Sequence, residues 1–271
     1  MRAIIRYPGS KWGIAQWIVA HFPSGYDKLL YLEPFAGSGA VFFNKLPGGV
    51  ETINDLDSDI VNLFRVLREQ PEDLKRLLSL TPYSREEYDR SSEPCAEPIE
   101  KARRYMVRTT QAIGAKMDGK CGWRNHKTLK TGGTACKWGG ITDTIDCAAA
   151  RLRGDTTHLV QIEHQDALRL IGRYDTPDAL MYIDPPYLMQ SRKSGKLYRC
   201  EFARPEDHKR LLALIRESRA KIIISGYDNE LYDTMLAGWR TDSIMSQTTS
   251  TEMAREKNLD ELHAAGGANA N

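Results

Sequence analysis

A chain of 271 residues, 41% apolar and 27% charged, has enough apolar surface for one large domain or for a core domain carrying a smaller one. No apolar run approaches the roughly 20 residues of a membrane helix, and the start, MRAIIRYPGSKW, lacks the apolar stretch and cleavage site of a secretory signal. Five cysteines, at 95, 121, 136, 147 and 200, form no CxxC pair, so neither a disulfide scaffold nor a zinc site is expected, and a reducing cytoplasm is.

Tyr7-Pro8-Gly9-Ser10-Lys11 reads by itself as a turn before an amphipathic helix bearing Trp12, Ala15, Ile18 and Val19. The apolar run 29–32 predicts a strand that leads into Glu33-Pro34-Phe35, and Gly37, Ser38 and Gly39 predict a turn. A helix is expected over 41–46 and a second strand over 51–54, ending at Asp55. From Ser58 the spacing of Ile60, Val61, Leu63, Phe64 and Leu67 is helical, with Asp57 or Ser58 as the cap. This opening is that of a doubly wound α/β sheet. Residues 70–154 then show helical patterns and a Gly/Lys/Thr-rich stretch from 118 to 140, with no convincing strand. Strands resume over 159–162, 179–183 and 221–225, with helices over 206–218 and 230–236. The expected architecture is an α/β core, 1–69 plus 155–271, interrupted by a helical insert, 70–154. The tail from about 264, low in complexity, is expected to be disordered.

Charge is unevenly spread. The chain carries a net +2, yet residues 101–140 hold ten Lys or Arg against one acid, while 51–100 hold thirteen acids against six bases. A segregated basic block suggests a polyanion partner, and Trp123 and Trp138 within it suggest faces for stacking on bases. A solvated helix face with a charged loop is the plainer alternative.

The sharpest chemical signal is Asp184-Pro185-Pro186-Tyr187, directly after the apolar run 179–183. Ligand chemistry in such sheets lies beyond the carboxyl ends of strands. An adenine amine is a poor nucleophile because its lone pair is delocalised into the ring. Two acceptors, one for each N–H, favour a tetrahedral nitrogen with a localised pair. Asp184 supplies an ionised acceptor, and the carbonyl of Pro185 or Pro186 supplies the other. Tyr187 offers a flat face to a base taken out of the stack. Upstream, Gly37 and Gly39 let a ligand approach the backbone, and Asp55 stands where an acid binds ribose hydroxyls. There is no GxGxxG for a dinucleotide and no GxxxxGK[ST] for a phosphotransferase.

In order, PGSK, EPFAGSG, NDLD, an insert, DPPY and SGY resemble the Dam-like DNA adenine methylases, particularly small phage and prophage members, over most of residues 4–240. The resemblance implies a mostly parallel sheet with an antiparallel hairpin at one edge. It implies S-adenosylmethionine as cofactor, base flipping, N6 methylation of adenine in double-stranded DNA, and a target-recognition role for the insert. Such enzymes belong to restriction–modification or prophage settings and act in the cytoplasm; a monomer with no metal is expected. By position, Tyr7 and Lys11 would contact the cofactor's methionine end or neighbouring groups. Glu33, Phe35, Gly37 and Gly39 would line the cofactor, Asp55 would bind its ribose, Asp166 its adenine amine, and Asp184 would border it. Asp184, Pro185, Pro186 and Tyr187 would hold the target base, and Ser225-Gly226-Tyr227 would close the far wall. Lys116, Lys120, Lys127, Lys130 and Lys137 are expected on phosphates, Arg124 on a base edge, and Trp123 in a stack, a wedge or a small core. The family usually has Trp where Tyr7 stands; a flat ring survives. It usually ends in an apolar strand with Trp-x-Asn, whereas REKNLDELHAAGGANAN implies a missing or altered last strand and an exposed edge. Methylation of cytosine N4, where relatives more often have Ser in place of Asp184, an RNA adenine substrate and a catalytically silent DNA-binding relative are the alternatives.

Overall fold

The computed structural model describes residues 1–113, 121–125, 138–188, 202, 204–246 and 258–265. Its strands are β1 (Leu30–Glu33), β2 (Val50–Asn54), β3 (Leu159–Glu163), β4 (Ala179–Ile183), β5 (Lys221–Gly226), β6 (Arg240–Ser246) and β7 (Asn258–Ala265). They form one sheet in the order β3-β2-β1-β4-β5-β7-β6. The first five run parallel, with registers such as Leu32 opposite Thr52 on one side and Met181 on the other. β7 lies antiparallel between β5 and β6, so β6 and β7 make the edge hairpin. A last strand is therefore present, which overturns the expectation of a missing one, while its sequence, NLDELHAA, is the altered one. Residues 264–265, expected to be disordered, close it, while 266–271 lie outside the described residues.

The helices are α1 (Ala15–Ala20), α2 (Ser58–Glu69), α3 (Pro71–Leu80), α4 (Arg85–Arg90), α5 (Pro98–Gln111), α6 (Ile145–Arg153), α7 (Ala167–Arg173), α8 (Pro205–Arg216) and α9 (Glu230–Met235). Both sheet faces are covered, so the strands read as continuous apolar runs; all five residues of β4 are buried. Alternation decides which way each points. Tyr31, Leu180, Tyr182 and Ile223 join the core under α1, α2, α5 and α6. Leu32, Met181, Ile183 and Ile224 join the core under α7, α8 and α9.

α2 starts where the Asp57 carboxylate accepts the Asp59 N–H at 2.9 Å. It stops at Gln70, which the following Pro71 drives out of the helical region. Its stripe of Ile60, Leu63, Phe64 and Leu67 packs with Leu74 and Leu78 of α3, Tyr105 and Met106 of α5, and Ile145 and Leu152 of α6. Helices from the segment 70–154 thus share one core with the strands. Arg151 of α6 reaches the fully buried Glu51 of β2 through two bonds, at 2.5 and 2.7 Å, and Lys45 pairs with the same carboxylate.

The helix expected over 41–46 is a run of turns. Phe43 and Lys45 bond back to Gly39 and Val41, at 2.9 and 3.0 Å. The preceding Phe42 N–H goes to the Glu33 carboxylate at 3.0 Å instead, which removes a rung from the helical ladder, and Asn44 bonds back only three residues, to Val41.

Candidate active site

β1 leads to β2 on one side of the sheet, and its other neighbour is β4. The order reverses between β1 and β4, the place where open α/β sheets bind ligands. A pocket of about 860 Å³, open mouth included, lies there. Residues 7–11, 33–38, 54–57 and 166–167, with Tyr182, Asp184, Pro186 and Phe202, contribute to its wall.

The glycine turn after β1 is built by close approach. Gly37 has φ 49°, and a Cβ there would sit 2.8 Å from Cε1 of Tyr7. Gly39 has φ 67°, and its Cβ would meet the Phe43 ring at 2.8 Å. Any side chain would be strained and would strike a ring. The Gly37 N–H donates to Asp55 Oδ2 and the Asp57 N–H to Asp55 Oδ1, each at 2.8 Å. Burial lifts the Asp55 carboxyl to about 6, while those backbone donors pull it down. The Leu56 N–H is a third backbone partner, so of the roughly four acceptor sites of the carboxylate about one is left for a ligand hydroxyl. Burial likewise lifts Glu33 to about 8, opposed by the Tyr31 hydroxyl at 2.8 Å and reinforced by the charge of Asp184. Asp166 stands exposed on the rim, capping α7 by accepting the Arg169 N–H at 2.9 Å.

Three sets of contacts at this wall join segments distant in sequence and tie one motif to another element in ways that the motifs themselves do not announce. The Ser10 and Ser38 hydroxyls are 2.8 Å apart. The buried Asn54 donates to the Pro34 carbonyl at 2.9 Å and the Gln165 carbonyl at 3.1 Å, and its Oδ1 accepts the Gln165 N–H at 2.9 Å. The Tyr182 hydroxyl lies 2.8 Å from Ser225 Oγ, which draws the SGY stretch against β4.

The loop after β4 carries the catalytic candidates. Lys11 is buried, with Nζ 3.1 Å from Asp184 Oδ2, 2.7 Å from the Gly9 carbonyl and 4.8 Å from the centre of the Tyr187 ring. Lys11, expected toward the cofactor's methionine end or its neighbours, is thus fixed on the loop after β4 while still lining the pocket. Tyr187 meets Tyr227 edge to face, with ring centres 4.5 Å apart. Pro185 is buried, and Asp184 and Pro186 are half-buried. His208 Nε2 lies 3.2 Å from the Pro186 carbonyl. Among the described residues no three His, Cys, Asp or Glu side chains are placed to hold a metal ion.

The model of the D12 class N6 adenine-specific DNA methyltransferase family matches residues 7–253. The chain belongs to that family. A type II methyltransferase, M1.LlaDCHI, of Lactococcus lactis subsp. cremoris is 33% identical over 79 residues, 29% of this chain and 27% of that protein. The DNA N-6-adenine-methyltransferase of Escherichia phage P1 is 36% identical over 74 residues, 27% of this chain and 9% of that protein. The chain thus aligns to well under two thirds of the length of these relatives. The solved rRNA methyltransferase aviRa from Streptomyces viridochromogenes superposes loosely, with TM-score 0.43 and 12% identity over 97% of this chain and 90% of that one.

Members of a DNA methyltransferase family need a surface for the duplex, and here four of the ten cations of the basic block are committed elsewhere. Lys101 and Arg108 pair with Asp59, Arg103 with Glu87 and Glu100, and Arg104 with Glu93 and Glu100. These acids all come from the acidic stretch 51–100, so much of the segregated charge cancels within the fold. Trp138, expected to offer a stacking face, is 7% exposed and donates to the Thr81 carbonyl at 2.8 Å. Trp123 is half-buried: its N–H reaches Gln111 Oε1 at 3.1 Å, its ring tilts against Tyr83, and Arg85 covers it at 5.1 Å. Arg124 is half-buried, its Nε 3.3 Å from the Ala112 carbonyl and its own carbonyl accepting the Tyr83 hydroxyl at 2.7 Å. Lys116, Lys120, Lys127, Lys130 and Lys137 lie outside the described residues.

Proposed function

We propose that the chain methylates the N6 amine of adenine in duplex DNA, with S-adenosylmethionine as the methyl donor and the base turned out of the helix. The observation that carries this reading is the meeting of the Asp184 loop and the glycine turn in one pocket, where Lys11 pairs with Asp184 and its neighbour Ser10 with Ser38. Two features of the wall support the donor: the glycine turn brings bare backbone to it, and Asp55 presents a half-buried carboxylate to the cavity. Phe35, Gly37 and Gly39 would line the donor, Asp55 would accept from its ribose hydroxyls and Asp166 from its adenine amine. When bound, S-adenosylmethionine supplies an electrophilic methyl group on a sulfonium.

The protein's task is to present the nucleophile. Asp184 accepts one N–H of the target amine and a proline carbonyl the other, which localises the nitrogen lone pair. The Lys11 ammonium at 3.1 Å favours the ionised form of Asp184, which takes up the proton that the nitrogen sheds. Tyr187, backed by Tyr227, supplies the aromatic face for the base. The segment 70–154 would read the target sequence, with 121–125 at its exposed face and Arg124 as the base reader. Incubating duplex DNA with donor labelled in the methyl group, then hydrolysing the DNA to nucleosides, tests the reading. Label in N6-methyladenine is expected; label in a cytosine nucleoside, or none, overturns it.

A further inference from the structure

The catalytic loop is held from behind by a histidine that belongs to none of the motifs. His208, on α8, is 1% exposed. Its Nε2 lies 2.8 Å from the Phe202 carbonyl and 3.2 Å from the Pro186 carbonyl. Both partners only accept, so Nε2 carries the proton. Its Nδ1 lies 2.8 Å from the hydroxyl of Tyr232 on α9. Burial pushes that phenol well above its ordinary pKa, so the hydroxyl keeps its proton and donates, and Nδ1 accepts. The Phe202 ring stands 5.4 Å from the imidazole and meets Phe35 edge to face at 5.3 Å, and both phenylalanines line the pocket. One imidazole therefore joins the loop after β4, the aromatic wall of the pocket and α9.

We propose that His208 is a positioning residue for methyl transfer. By gripping the Pro186 carbonyl it fixes the direction of the adjoining Pro185 carbonyl and of Asp184, the two acceptors for the target amine. Neutral proline carbonyls can be aimed only through the backbone, and a buried donor on a rigid helix does that without adding charge to the site. The inference rests on the N6-adenine reading of the site.

Single-turnover transfer of label to adenine in duplex DNA tests it, with donor affinity measured by calorimetry on the same protein. His208→Phe keeps the ring and removes both nitrogens. It is expected to slow the single-turnover rate about tenfold or more while donor affinity stays within about twofold. His208→Gln, whose amide nitrogen can take the place of Nε2, should return the rate to within about threefold of wild type, and His208→Asn, which reaches only the place of Nδ1, should stay slow. A packing role alone would lower melting temperature and donor binding together and would not separate Gln from Asn. A folded His208→Phe protein with the wild-type rate, or equal rates for Gln and Asn, overturns the proposal. If His208→Phe does not fold, the Gln and Asn pair decides. Wild-type protein that labels no adenine would instead overturn the underlying function and leave the histidine unimplicated.

Discussion

The pocket and the helical segment 70–154 both carry many charges and use them differently. Around the pocket, Asp55 is held by three backbone N–H groups and Asp166 by one, and each retains acceptor capacity toward the cavity. Along α5, Lys101, Arg103, Arg104 and Arg108 are each matched to an acid from the preceding fifty residues. Charge tied to backbone amides can still serve a ligand, while charge tied to opposite charge is mostly consumed. A basic block in a sequence signals a nucleic-acid surface only after its internal partners are subtracted.

Substitutions on either side should expose this difference. The largest effect is expected at Asp184: Asp184→Ala should slow methyl transfer about 10³-fold while donor binding largely survives, because the carboxylate acts on the target amine. Tritium transfer and calorimetry on one preparation check it, and substantial turnover would remove the mechanism. Next comes Arg151→Ala, which leaves the buried Glu51 with Lys45 alone and should cost about 3 kcal/mol in denaturant unfolding. A loss below about 1 kcal/mol would mean the network is solvated.

Asp55→Ala should weaken donor binding by about 1.5–3 kcal/mol with little effect on DNA binding. The same site predicts a pH dependence. The folded Asp55 carboxyl is lifted to about 6 by burial, so it takes up a proton as pH falls through 6 and loses its value as an acceptor. Donor affinity should therefore fall between pH 7 and 5 in the wild type and stay flat across that range in Asp55→Asn. A wild-type affinity constant over this range would place the ribose contact elsewhere.

The smallest effects belong to the basic block. Arg103→Ala and Arg108→Ala should leave the salt dependence of DNA binding unchanged, whereas each true phosphate contact lowers the log–log slope by about 0.9. Arg124→Ala should instead relax preference at one base position by about 1–3 kcal/mol. A uniform loss across all DNA sequences would make Arg124 a backbone contact.

The same contrast governs what the sequence made legible. β4 declared itself because a central parallel strand must be apolar on both faces, and the glycine turn because positive φ beside the Tyr7 ring tolerates no side chain. The turns over 41–46 were misread as helix because the competing acceptor, Glu33, sits on another element. β7 was missed because NLDELHAA has weak strand propensity, and the neighbouring β5 and β6 impose the conformation. Asn54, Ser10 and His208 were silent for a related reason: they pair with Gln165, Ser38 and Pro186, which lie 111, 28 and 22 residues away, and no local pattern marks such a pair.

The shared face of α2 bears on whether the segment proposed to read the target can be exchanged. Residues 70–154 do not hang from the sheet like an exchangeable cartridge. Their helices lean on Ile60, Leu63, Phe64 and Leu67, and Arg151 plugs into the underside of β2. A segment from another enzyme would arrive with knobs cut for a different α2 and without Arg151 for Glu51. Recombination between relatives should succeed when the crossover lies upstream of Ser58, so that α2 travels with the segment it supports. The residue at 51 must then be chosen to match the arriving α6, or the chimaera begins with a buried anion that has only Lys45 for a partner.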